Sequence, residues 1–202
     1  MCIKANQING YNVEIHQDEN PEDPREWDNL GMMVCFHKRY NLGDKHNYRS
    51  QNFNGWSELK KQIIKDHNPV AIIPLYLYDH SGITINTTGF SNIDSARWDW
   101  GQIGFAFIPR DEFLKEFEKK RVTKTLKEKA NEILLSEVQT YNQYLTGEVY
   151  GYVIKDIETE EVKESCWGFF GLEYVEKEAT SIANGLKHTE KENKNQLQLV
   201  LT

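Results

Sequence analysis

Residues 70–109, VAIIPLYLYDHSGITINTTGFSNIDSARWDWGQIGFAFIP, constrain this chain more than any other stretch. Two near-continuous apolar runs, 70–78 and 103–108, enclose a polar break at Asp79, His80, Ser81 and Gly82, a short alternating segment at 83–87 and a tryptophan-bearing loop. Apolar runs this short and this continuous read as strands covered on both faces. The stretch therefore predicts three strands of one sheet with two loops, which are the core and the candidate site. Pro74 has no N–H to give to a ladder, so a bulge or a locally unpaired edge is expected there. Gly101 and Gly104 point to close backbone approach or a bulge in the last run.

The rest of the chain supplies partners for that core. Residues 11–17 alternate apolar and polar, with Tyr11, Val13 and Ile15 on one face, as a half-buried strand does. The acidic segment 18–31, DENPEDPREWDNLG, holds Pro21 and Pro24 and excludes regular structure; it is a solvated loop or a cation site around Trp27. Residues 32–37 read as a central strand, and 38–54 as a long polar loop carrying Asp44 and His46. A short helix over 56–67 places Trp56, Leu59, Ile63 and Ile64 on one face and stops before Pro69. A charged helix follows Pro109 over 110–120. The longest helix, about 123–145, carries the stripe Leu126, Ala130, Leu134, Val138, Tyr141, Leu145 and ends before Gly147. A hairpin over 148–157 and 163–170 and an amphipathic helix over 172–187 complete the pattern. The reading is an α+β fold: a mostly antiparallel sheet of about six or seven strands covered by two or three helices. It forms one domain over 1–188, and the polar tail over 189–202 frays or adds an edge strand through its final Leu-Gln-Leu-Val-Leu.

Composition narrows the function. The net charge of −7 argues against a direct electrostatic grip on nucleic acid, which needs clustered Lys and Arg. It suits solubility, or a partner with a basic surface, including another protein's nucleic-acid channel. Cys2, Cys35 and Cys166 form no paired motif and fit free thiols in a reducing cytosol. The first residues contain no secretory signal, and no stretch approaches a membrane span, so a cytoplasmic location is expected, without a membrane partner.

Asp79 and His80 at the end of the 70–78 run are the candidate acid/base pair, since histidine titrates near neutrality. Neighbouring residues on a strand point to opposite faces, however, so a capped turn is the competing account. Asp44 and His46, with His37 nearby, and Asp99 are candidate ligands for a divalent metal ion; turn closure and packing are the alternative. Trp98 and Trp100 are two apart and share a face if the backbone is extended. With Arg97 beside them they offer a stacking surface, or a lid over the core. Trp27, Arg25 and Arg39 complete the candidate binding residues. No phosphate-loop, dinucleotide-binding, zinc-protease or nucleophile-elbow motif is present in the sequence.

The loops NPEDPREWDNLG, CFHKRYNLGDKH, LYLYDHSG and WDWGQIGF, with VYGY and CWGFFG further on, resemble an uncharacterised family of small proteins carried by bacteriophages and mobile elements. The resemblance spans about residues 12–174. It implies a phage accessory protein that binds a host protein, such as a defence or nucleic-acid-processing system, and inhibits or modulates it. Two other functions fit the residues. One is a metal-assisted hydrolase of a nucleotide or phosphodiester, using Asp79, His80 and the metal candidates. The other is a nucleotide-sequestering module, with rings stacking a base and Arg25, Arg39 or Arg97 holding phosphate. The sequence leaves the oligomeric state open.

Overall fold

The computed structural model describes the backbone of residues 1–200 and side chains through residue 188. Among the described residues the architecture is α+β, with eight strands in two antiparallel four-stranded sheets and four α-helices. The chain divides into two compact units, Asp23–Thr146 and a second made of Met1–Glu22 with Gly147–Thr202.

The second of these units holds β1 (Cys2–Ile8), β2 (Tyr11–Gln17), β7 (Val149–Asp156), β8 (Val162–Phe170) and α4 (Leu172–Val200). The sheet order is β1-β2-β7-β8. Tyr11, Val13 and Ile15 of β2 pack with Tyr152 and Ile154 of β7 against Val175, Ala179 and Ala183 of α4. These α4 residues are four apart and small or β-branched, which lets the helix lie close on the pleated face. Strand β1 was not expected from the sequence. It turns into β2 through Asn9 and Gly10, both at positive φ (55° and 92°), as a tight hairpin requires. α4 runs past residue 187 to Val200, so helix replaces the edge strand read for the tail up to that point. Leu201 and Thr202 lie outside the described residues.

Unit Asp23–Thr146 is built on β3 (Met32–Cys35), β4 (Ala71–Asp79), β5 (Ile83–Asn86) and β6 (Trp100–Ile108), in the order β3-β6-β4-β5. The apolar runs are continuous because this sheet is covered on both faces. Phe105 and Phe107 of β6, with Val34 of β3, meet Leu59 and Ile63 of α1 (Trp56–His67). Ala106 and Ile108, one residue out of phase, join Phe113 of α2 (Arg110–Glu116) and Ala130, Leu134, Val138 and Tyr141 of α3 (Lys124–Thr146). α1 closes on Asn68 at φ 43°, whose N–H bonds to the Ile64 carbonyl. Thr123 caps the start of α3, its hydroxyl accepting from Leu126 N–H at 3.3 Å.

The proline and the glycine behave as their chemistry demands. β5 reaches only as far as Tyr76, so Pro74 sits where β4 has β6 alone as its neighbour. β4 pairs Leu75 with Gly104 and Tyr76 with Gln102, leaving Ile103 as a bulge on β6. The Ile103 carbonyl then accepts from Phe36 N–H at 2.7 Å. At Gly104 the neighbouring backbone comes so close that a Cβ would overlap the Val34 carbonyl oxygen.

Candidate functional site

The two polar breaks flanking β4 and β6 emerge at one rim of unit Asp23–Thr146. Asp79 N–H donates to the Asp99 carbonyl at 2.8 Å, and Tyr78 pairs with Trp100 across the ladder. Arg39, from the loop after β3, reaches the Asp79 carboxylate, which also accepts from the Tyr40 hydroxyl at 3.3 Å. His80 lies 3.2 Å from the Asp99 carboxylate through Nδ1. Asp79 and His80 thus each have a different partner, as opposite faces of a strand end dictate. Arg39, Asp79 and Asp99, with Trp98, Trp100 and Gln102, border an open cleft of about 490 Å³.

The loop 87–99 is held by two side chains. Asn86 Oδ1 accepts from Thr88 and Gly89 N–H at 3.2 and 2.7 Å. The Asp94 carboxylate accepts from Ala96, Trp98 and Asp99 N–H at 3.0, 2.7 and 3.1 Å. These backbone donors, led by that of Asp99, hold the Asp94 carboxyl below the usual aspartate value. Trp100 Nε1–H donates to the Asp94 carbonyl at 2.6 Å. The Trp100 ring meets Tyr76 and Phe90, and Phe90 in turn stacks on Tyr78. Arg97 adopts φ 58° and lays its guanidinium 5.0 Å from the Trp100 ring centroid.

The two tryptophans do not share a strand face: Trp98 and Asp99 form a bend, and the extended backbone of β6 begins only at Trp100. Trp100 folds inward, half-buried, while Trp98 stands out at 86% exposure. Ile93, on the same loop, is 63% exposed.

Removing the Asp94 carboxylate releases three N–H groups at once. In Asp94→Ala, the amides of Trp98 and Asp99 should exchange with solvent at least about tenfold faster than in the parent at neutral pH. Acid should reproduce this as a loss of protection, measured against the intrinsic exchange rate at each pH. A depressed carboxyl pKa contributes order that is present above the ordinary aspartate value and lost as pH falls through the lowered one. Amide exchange followed by NMR checks both; unchanged rates in the variant would show that the loop is held some other way.

The remaining sequence candidates lie elsewhere, and two of them serve the fold. The Arg25 side chain is only 5% exposed. Its Nε and Nη2 donate to the Asp44 carboxylate at 2.9 and 2.8 Å, Nη2 to the Gly31 carbonyl at 2.6 Å, and Nη1 to Glu137 at 3.3 Å. Asp44 also accepts from Met33 N–H at 2.7 Å, and Glu137 from Gly31 N–H at 3.1 Å. Four of the five Arg25 N–H donors are thus engaged on a buried side chain, which is not presented to a phosphate, and Asp44 is committed to Arg25 rather than to a metal. His46 packs edge-on against Phe36 with Nε2 3.2 Å from the Cys35 carbonyl. Asp99 pairs with His80. Among the described residues no three His, Cys, Asp or Glu side chains gather as a metal site, so the Asp44, His46 and Asp99 set does not form one. Trp27 is 44% exposed and borders a separate cleft of about 210 Å³ beside Glu137.

Sequence reading took His37 only as a metal candidate and passed over its neighbours Phe36 and Lys38; the three border both the cleft at Asp79 and a second, larger cavity of about 570 Å³. Their signal was weak: the run was read as the end of a strand, whereas β3 stops at Cys35. Among the described residues no helix is long and apolar enough to cross a membrane. Neither a family model, nor a curated protein, nor a solved structure matches the chain.

Proposed function

We propose that this protein acts by binding another protein, with Trp98 as the anchor, and that the partner is a host protein met by a phage or mobile-element accessory protein. The observation that carries the reading is an indole 86% exposed on a loop whose backbone is already pinned. Exposing so much apolar surface is unfavourable in water, and a tryptophan yields most when it enters a partner's pocket. Pinning the loop in advance removes part of the ordering entropy that association otherwise costs. The neighbouring Asp79–Arg39 and His80–Asp99 pairs give the polar rim that surrounds such an anchor.

The phage setting rests on the resemblance of the loops, and the acidic balance fits a partner with a basic surface. Inhibition or modulation of that partner follows from occupying the surface, with no chemical step required of His80.

Affinity capture from a bacterial host lysate tests the reading. Wild-type protein should retain a partner, and Trp98→Ala should weaken the isolated complex by about a hundredfold or more, the range of an interface hot spot. Trp27→Ala, at the separate cleft, should leave it intact. Equal retention by Trp98→Ala and wild type would refute the assignment of the anchor.

A further inference from the structure

The cavity of about 570 Å³ lies between the end of β3 and the first turns of α1. Its size is within the range of small-molecule sites. Phe36 and Trp56 lie near-parallel with centroids 6.3 Å apart, and Phe53 and Leu59 extend the same apolar wall. Lys38 and His37 supply the charged and polar groups. In a chain with 31 acidic residues, none lines this cavity, in contrast to the cleft that contains Asp79 and Asp99.

The donors are arranged in advance. His37 Nδ1 accepts from the backbone N–H groups of Arg39 and Tyr40, both at 3.3 Å. That places the proton of the neutral ring on Nε2, so the ring presents an N–H. The ring is held flat against Tyr40 at 4.9 Å with 12° between planes. Cys35, on the same lining, brings no negative charge, because burial pushes its thiol up to about 12.

We propose that this cavity binds a planar aromatic anion of nucleotide size, with its ring against the Phe36–Trp56 wall and its anionic group on Lys38 and the His37 Nε2–H. Stacking recognises the π-face and tolerates different rings. The ammonium and imidazole donors select the charge. The cavity shares Phe36, His37 and Lys38 with the cleft that Trp98 borders, but Trp98 itself does not line it, so either assignment can fail alone.

The test titrates the full-length protein with AMP, GMP, CMP and UMP by calorimetry. Adenosine and inorganic phosphate are run as the two halves of the ligand, and amide shifts are mapped by NMR. The expected result is saturable binding of at least one nucleotide at millimolar concentration or below. Shifts should concentrate in residues 35–42 and 50–59, and adenosine and phosphate should each bind at least about tenfold more weakly. Lys38→Glu should cost about tenfold or more, with Trp98→Ala unchanged. If Lys38→Glu does not fold, the wild-type shift map decides. Absence of saturable binding by all four nucleotides, shifts centred elsewhere, or phosphate or adenosine binding as tightly as the nucleotide would overturn the proposal.

Discussion

Replacing Arg25 by Met should destabilise unit Asp23–Thr146 by about 3–5 kcal/mol, the range for removing one member of a buried ion-pair network. The side chain fixes three segments at once: the acidic loop through Gly31, the polar loop through Asp44, and α3 through Glu137. Met fills much of the volume but leaves two largely buried carboxylates, 18% and 13% exposed, without their cation. In the wild type, burial already pushes the Glu137 carboxyl above its usual value, against the pull of Gly31 N–H and Arg25. The variant removes Arg25's share of that pull, so the upward shift grows. A carboxyl pKa raised in the folded state means that the folded state binds the proton more tightly, and stability then falls as pH rises through that range. The deficit of Arg25→Met should therefore be larger at about pH 8 than at about pH 5. Urea unfolding at both values, followed by tryptophan fluorescence, checks magnitude and sign. A deficit below about 1 kcal/mol would show the network to be dispensable.

Gly104→Ala should cost about 3 kcal/mol or more. An inserted methyl in a packed core usually costs 1–3 kcal/mol because side chains move aside. Here the obstacle is the Val34 carbonyl oxygen, which is backbone held in the β3–β6 ladder where Cys35 pairs with Gly104. The strands have to separate at the centre of the sheet, next to the Ile103 bulge. Gly101→Ala, three residues away on the same strand, is the internal control, since a Cβ there meets nothing within 4 Å. Its midpoint in urea should stay close to that of the parent, as expected for Gly→Ala without a clash. Equal midpoints for the two variants would contradict the close approach.

The particular residues show why some of the molecule was legible from sequence. The α3 stripe, Ala130 through Tyr141, was readable because 3.6-residue periodicity carries its own register. The β4 and β6 runs were readable because two-sided burial leaves no polar face, and Gly104 because glycine inside a strand has few other reasons to be there. β1 escaped because its side chains are mostly exposed and carry little apolar pattern. The Asn9-Gly10 pair beside it was the available clue. The division of the strands between two sheets was also invisible, because strand pairing joins β2 to β7 across more than a hundred residues and alternation records only which face is buried.

At the site, the convergence of Asp79 with Asp99 at one rim followed from antiparallel neighbours whose ends coincide. The pairings did not follow. Arg25 with Asp44 and Arg39 with Asp79 depend on where long loops fold back, and a loop's path has no period to read. The opposite fates of Trp98 and Trp100 turn on the bend at Trp98 and Asp99 just before β6 begins, which the residue types there do not announce. Asp94, which organises the loop, has nothing in the sequence that sets it apart from the other acids.

Site-specific photocrosslinking inside a bacterial host tests the account most directly. A photoreactive phenylalanine analogue is placed at Trp98, and in a second protein at Leu135, which is 49% exposed on α3 of the same unit. The account predicts a discrete adduct with one host protein from position 98 and none from position 135. Adducts of the same pattern from both positions, or none from position 98 while the complex itself is captured, would contradict it.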